Sequence, residues 1–229
     1  MPQYHHNFIG IKYFRATQKI TDPDDNANII HSASNTIELW GRFYPHKRIQ
    51  VLAFVPFHFF SQTEYNEKNT TKGLGDISLI INYNLIKNGG NPGKQFKQAW
   101  FIGAGVKVPT GKFNITDKNQ TLLVPGLQTG TGSMDYILNS SYTIRHKEIG
   151  MSADILYNIN TKNKNGYQFG NQLKSSLRFF YWKQYKNVGS LLPSMGVQFE
   201  RFGENSSNDG NILFSGGSNV NAFIGTDRK

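Results

Sequence analysis

Hydrophobic and polar residues alternate along most of this chain with a period of two. The segment "GLGDISLIINYNLI", residues 73 to 86, is the clearest case. Ile77, Leu79, Ile81, Tyr83 and Leu85 take one parity, Asp76, Ser78, Asn82 and Asn84 take the other, and Ile80 is the misfit. This is the period of a β-strand with one apolar and one polar face. Similar patterns predict about ten strands, near 7–16, 34–44, 47–60, 74–87, 97–109, 133–145, 148–160, 168–181, 188–202 and 211–224. They exceed the usual five or six residues of soluble strands and reach the roughly 9 to 11 needed to cross a bilayer at a tilt.

The connections between these strands sort by length. "QKITDPDDNANIIHSAS", "SQTEYNEKNTTKG", the stretch from Thr110 to Gly132, "TKNKNGY" and "GENSSNDG" are long or polar. They alternate with the tight "PHK", the medium "KNGGNPGKQ", the turn at His146–Lys147 and the short "KQYKN". In an up-and-down barrel this places the long loops at one rim and the short turns at the other, as in outer-membrane barrels.

Parity assigns the faces. On the third strand Ile49, Val51, Ala53, Val55, Phe57 and Phe59 share one side, with Arg48, Gln50 and His58 opposite. On the seventh, Ile149, Met151, Ala153, Ile155, Tyr157 and Ile159 oppose Glu148, Ser152, Asp154 and Asn158; on the eighth, Leu173, Leu177, Phe179 and Tyr181 oppose Gln172, Lys174, Ser176 and Arg178. A face so rich in charges and amides cannot be a dry core, because unpaired buried charges are prohibitive. The polar face therefore points into a wet or ion-paired lumen, and the apolar face meets lipid.

Composition agrees with this inside-out reading. Only 17% of the 229 residues are charged, while Phe, Tyr and Trp number 17, 11 and 3. Mean hydropathy is nonetheless −0.48. The longest apolar run, "VLAFVPFHFF", is interrupted by Pro56 and His58 and falls short of the roughly 18 residues of a spanning helix. A helical membrane protein is excluded. With no cysteine, neither disulfides nor a Cys-based zinc site exists. The net charge of +10 comes from scattered Lys and Arg, which argues against nucleic acid and suits lipid headgroups and lipopolysaccharide phosphates.

The chemistry-bearing patterns are few. "GVKVPTGKF" fails as a phosphate loop: five residues separate Gly105 from Gly111, and Phe113 stands where Ser or Thr should follow Lys112. His5 and His6 are adjacent, and neighbours on a strand point to opposite faces, so they are read as structural rather than as a metal pair. Asn69 and Asn205 begin Asn-x-Ser/Thr triplets read as loop composition. No cofactor is expected. At the long-loop end, His58, Asp76, Lys107 and Asp135 are expected to face inward, flanked by Gly73, Gly75, Gly111, Gly130 and Gly132. They form a candidate polar gate or vestibule, or an ion-paired ring that stiffens the mouth. A rim lipid hydrolase built from His58, Ser61 or Ser78, and Asp76 is the enzymatic rival; the favoured reading is not an enzyme. Lower down, Glu38, Arg42, Arg48, Arg145, Glu148, Asp154, Lys174, Arg178 and Glu200 are candidate lumen residues, lining a water channel or pairing across it.

"GLGDISLIINYNLI", "GVKVPTGKF" and "TGTGSMDYILNSSYTIRHKEIGMSADILYNINT" follow one another in this order. Together they resemble the outer-membrane barrels of the meta-pathway-of-phenol-degradation family, most closely over residues 73 to 160. The resemblance implies a transmembrane barrel of about twelve strands, related to channels for long-chain fatty acids and aromatic hydrocarbons. Ten strands would then be present, in one domain over residues 1–229. A leader and the last strands are expected to lie outside this sequence, since "MPQYHHNFIG" lacks a charged and then apolar start and "GTDRK" reads as a turn. The expected function is a bacterial outer-membrane channel for small molecules, hydrophobic or aromatic ones included. The alternative is a closed structural or adhesive barrel acting through its loops. Lipid, lipopolysaccharide and a small solute are the expected partners, and the oligomeric state is left open.

Overall fold

A computed structural model describes residues 7–21, 29–64, 67–87, 96–116, 125–185, 189–208, 210–212 and 215–228. The strands are β1 (Phe8–Thr21), β2 (Ile29–His46), β3 (Ile49–Glu64), β4 (Glu67–Leu74), β5 (Ile77–Lys87), β6 (Phe96–Val108) and β7 (Asp135–His146). They continue as β8 (Ile149–Ile159), β9 (Gln172–Tyr181), β10 (Lys183–Tyr185), β11 (Gly189–Phe202), β12 (Ser206–Ser207), β13 (Gly210–Asn211) and β14 (Gly217–Arg228). One curled antiparallel sheet contains all but β12 and β13, which form a small hairpin in the loop before β14. β4 and β5 both pair with β3 and act as one crossing strand; β10 continues β9 along β11. Ten crossing strands therefore run from β1 to β14 as a half-barrel, each paired to its chain neighbour.

The faces are inside out relative to a soluble sheet protein. Among the described residues, buried side chains are mostly polar, including Gln50, Asn82, Asn84, Thr143, Ser152 and Ser194, while large hydrophobics such as Ile11, Ile81, Ile149, Met195 and Ile224 lie exposed on the convex face. Such a belt has no partner in water and is stable against hydrocarbon, where burial of apolar surface no longer depends on the protein's own core. Ile80, the misfit of the β5 alternation, is only 2% exposed: it sits on the concave face under Gly105, whose missing Cβ makes room for its side chain.

The structure lengthens several expected strands and moves others. The polar stretch 67–74, read above as loop, is β4, carrying the β3 hairpin beyond the apolar belt from Glu64↔Glu67 down to Phe57↔Leu74. The last crossing strand begins at Gly217 rather than near residue 211, which belongs to the β12–β13 hairpin. The strand expected from residue 168 starts at Gln172; residues before it make isolated bridges from Gln168 to Lys162 and Ser206.

Between β4 and β5 the pairing with β3 slips by one residue, from Phe57↔Leu74 to Phe54↔Ser78. One extra residue inserted this way is a bulge, which bends the strand and re-aims a side chain. Gly75 and Asp76 occupy the slip: the Gly75 N–H donates to the Pro56 carbonyl at 2.8 Å, and Asp76 is buried on the concave side.

Candidate functional site

The bulge sets Asp76 beneath the loop between β6 and β7, whose described residues are 109–116 and 125–134 and include the 3-10 turn Pro125–Leu127. One carboxylate oxygen of Asp76 accepts the Gly111 N–H at 2.9 Å. The other accepts the Thr131 N–H and the Thr131 hydroxyl, both at 2.7 Å. Charge-assisted bonds of this kind are about twice as strong as neutral ones. Gly111 and Gly130 let the two ends of the loop meet over this carboxylate, since a Cβ on Gly111 would come within 2.6 Å of the Gly130 Cα. The glycine-rich segment thus does hold an anion with a backbone N–H, and the anion is the protein's own.

The same loop is tied down elsewhere. The Thr71 hydroxyl of β4 donates to the Leu127 carbonyl at 2.6 Å. Gln128 exchanges hydrogen bonds of 3.0 Å with both backbone groups of Ile115. Asn163, in the loop between β8 and β9, donates to the Thr131 carbonyl at 2.9 Å. Phe113, Tyr167 and Phe169 cluster with centroid distances of 5.0 to 5.9 Å, joining the two loops in one cap.

Next to it stands the pair Lys107–Asp135, 2.6 Å apart on registered positions of β6 and β7. Asp135 is 1% exposed and also accepts from the Ser133 hydroxyl at 2.9 Å and the Thr161 N–H at 2.8 Å. The Thr131 hydroxyl lies between the two carboxylates, 2.7 Å from Asp76 and 3.4 Å from Asp135. Asp76, Lys107 and Asp135 therefore belong to one polar network. His58 stands beside it without joining: its Nδ1 pairs with the Thr36 hydroxyl at 2.9 Å and its ring stacks on Phe60.

This geometry does not assemble the hydrolase set. Both oxygens of Asp76 are engaged by Gly111 and Thr131. Ser61 lies three positions along β3 from His58, on the opposite face. Ser78 pairs with Phe54, four positions from His58 on β3, a separation of about 13 Å at the rise of a strand.

Along the wall, each ion pair among the described residues joins neighbouring strands. Lys12 and Glu38 are 3.5 Å apart on β1 and β2, and Lys174 and Glu200 are 3.3 Å apart on β9 and β11. Asp154 accepts from Ser141 at 2.5 Å and Ser176 at 3.3 Å, its registered neighbours on either side. Arg42 lies 5.8 Å from the Tyr44 ring centroid, Arg145 lies 4.0 Å from that of Trp182, and Arg178 lies 5.3 Å from that of Phe223. Two of the expected lumen residues are elsewhere. Arg48 is in the tight β2–β3 turn, exposed, and donates to the Tyr83 hydroxyl of the convex face at 3.2 Å. Glu148 is exposed in the β7–β8 turn, where its carbonyl accepts the Trp182 N–H. Turns break the two-residue count, so parity carried through them misplaces both.

An amide ladder runs across the wall, and pattern reading missed its long reach. Gln50 donates to the Tyr44 hydroxyl at 2.6 Å, Asn82 to Gln50 at 2.9 Å, and Asn139 to Asn82 at 2.9 Å. The last step passes over β6 at Gly103, where a Cβ would lie 2.0 Å from Asn82 Oδ1. His5 and His6 lie outside the described residues. Among the described residues, no three His, Asp or Glu side chains converge to hold a metal ion.

Residues 16–187 match the sequence family described as "Putative MetA-pathway of phenol degradation". No curated protein matches the sequence. Among solved structures, an outer membrane channel from Pseudomonas putida F1 is similar in fold, with a TM-score of 0.58 and 14% identity, over 98% of this chain and 85% of that one.

Proposed function

This chain belongs to the phenol-degradation family just described, and from that premise and its outer-membrane barrel fold we propose that it is an outer-membrane channel for small solutes, hydrophobic or aromatic ones included. The observation that carries this reading is the lateral pairing of the lumen charges. Lys12–Glu38 and Lys174–Glu200 neutralise one another along the wall, and no ion pair among the described residues bridges the lumen, which supports an axis left to water. Arg42 and Arg178 then present fixed positive charge to whatever passes. The preference for aromatic solutes rests on the family's description alone.

Single-channel current after reconstitution in a planar bilayer tests the proposal. Stable conductance steps whose ion selectivity changes on Arg178→Glu are expected. An inserted barrel that passes neither ions nor small solutes would favour a structural or adhesive barrel acting through its rim loops.

A further inference from the structure

Basic residues that look scattered along the sequence gather on one outer face of the structure. At the long-loop end β1 to β4 rise above the apolar belt, and their register aligns the outward positions in rows. The lowest of these rows, Tyr13, Ile37, Phe57 and Leu74, is exposed and apolar and closes the belt. The Tyr13 hydroxyl donates to Asn35 in the row above at 2.8 Å, the posture of an interfacial aromatic with one end apolar and the other wet. That second row carries Arg15 and Lys72, and the fourth carries Lys19, His31 and Lys68. All five basic side chains are exposed, and none takes part in an ion pair among the described residues. Between the two basic rows lies a row of hydroxyls, Thr17, Ser61 and Thr70. No Asp or Glu holds an outward position in these four rows. At the spacings of a sheet the basic patch is about 14 Å wide and about 13 Å tall.

We infer that this outer face is a binding site for the phosphorylated headgroup of an outer-leaflet glycolipid, whose acyl chains lie on the belt below. Each row meets a different part of such a molecule. Its chains pack on Ile37, Phe57 and Leu74, its phosphates face the two basic rows, and its sugar hydroxyls meet Thr17, Ser61 and Thr70. Hydrogen bonds from Lys and Arg to phosphate are charge-assisted and about twice as strong as neutral ones, and each basic side chain beside an anionic leaflet adds to the attraction. A zwitterionic headgroup would bring as much positive as negative charge to a face with no acid to receive it. An acidic protein would match the charge but gain nothing from the apolar row directly beneath, which one amphiphile uses together with the patch. A lipid held here fastens the β3–β4 hairpin to the leaflet from outside, as the Thr71 hydroxyl ties it to the β6–β7 loop from inside.

The test is native mass spectrometry of the full chain released from uncharged detergent micelles, titrated with bisphosphorylated lipid A. Dephosphorylated lipid A, phosphatidylglycerol and inorganic phosphate are the comparison probes. Lipid A is expected to bind about tenfold more tightly than phosphatidylglycerol, and removing its phosphates should abolish the preference. Lys68→Gln with Lys72→Gln should weaken lipid A about thirtyfold, and so should Arg15→Gln with Lys19→Gln. The two pairs lie on different strands, so the test stands if one double variant does not fold. Arg48→Gln, in the tight turn at the opposite rim, should leave lipid A binding unchanged. Equal binding of lipid A and phosphatidylglycerol, or wild-type affinity in both double variants, overturns the site. Displacement of lipid A by inorganic phosphate alone overturns the lipid as its occupant. The site does not rest on the channel reading: a silent barrel that binds lipid A in this way supports it, and a conducting barrel that does not overturns it.

Discussion

The carboxylate of Asp76 accepts a 2.7 Å hydrogen bond from the backbone N–H of Thr131, 55 residues later in the chain. With the Gly111 N–H on its other oxygen, this side chain fastens both ends of the β6–β7 loop to the barrel rim. Asp76→Asn keeps the size of the group but leaves one acceptor oxygen where two are used, and turns an N–H₂ toward a backbone N–H. The expected cost is about 2 kcal/mol. Hydrogen exchange at the Gly111 and Thr131 amides should speed up, and single-channel current should become larger or noisier. Unchanged exchange at both amides would show that the loop is held without the carboxylate.

Lys107 and Asp135 form the most buried ion pair among the described residues. Removing one partner strands a charge, which costs about 3 to 5 kcal/mol, whereas replacing both by apolar groups can be neutral. Lys107→Met alone should therefore destabilise the barrel in a urea unfolding series, and Lys107→Met with Asp135→Leu should recover part of the loss. A single variant as stable as the wild type would contradict the burial of Asp135.

Gly103→Ala tests the amide ladder. The new Cβ would meet Asn82 Oδ1 and, at 2.4 Å, the Ile81 carbonyl, and backbone cannot yield as a side-chain tip can. A loss of about 1 to 3 kcal/mol is expected, with faster exchange of the Asn139 side-chain amide. Ala at Gly126, where a Cβ would meet nothing within 4 Å, is the matched control and should be near neutral.

Selectivity should follow the lumen charges. Lys174→Glu sets a second carboxylate beside Glu200, and Arg178→Glu reverses a charge four residues farther along β9. Both should move the reversal potential in a salt gradient toward cation preference, more so at low salt, because screening weakens as salt is diluted and the charges reach farther. Arg48→Glu, in the outer turn, is expected to shift it much less.

At the rim, burial pushes the Tyr167 phenol above its ordinary 10, while a hydrogen bond with Asn205 pulls more weakly the other way. A raised value in the folded state means that the Tyr167 contribution is whole below pH 10 and is lost as pH climbs through the folded value. The Phe113–Tyr167–Phe169 cluster should loosen in that alkaline window. Tyr167→Phe should remove the corresponding step from a tyrosinate absorbance titration; an unaltered titration would place the step on another tyrosine.

The strands and their faces were legible because lipid on one side and water on the other write the same two-residue code along every crossing, as in Ile77 to Leu85 or Ile149 to Ile159. That code stops where the lipid stops. Lys68, Thr70 and Lys72 of β4 have water on the outer face as well, so their pairing with β3 left no contrast to read. Ile212, just after Asn211, imitated a strand start but lies outside the strands. The candidate rim residues Asp76, Lys107 and Asp135 were within reach because each ends a strand. Thr71, Thr131 and Phe113 were not: their partners lie 56, 55 and 54 positions away, and no local period encodes a contact between two loops. The close glycines 111 and 130 were the only trace.

Gly75 can finally be seen as a change of reading frame within a sheet. Above it the inward letters are Asn69, Thr71 and Gly73; below it they are Asp76, Ser78 and Ile80. The two frames are set independently, the lower by the lipid belt and the upper by Thr71 under its loop. Residues can therefore be gained or lost at the tip of the upper hairpin without turning a single side chain of β5 from water to lipid. Deleting Gly75 itself would merge the frames into one straight strand and remove the bend at the point where the loop is fastened.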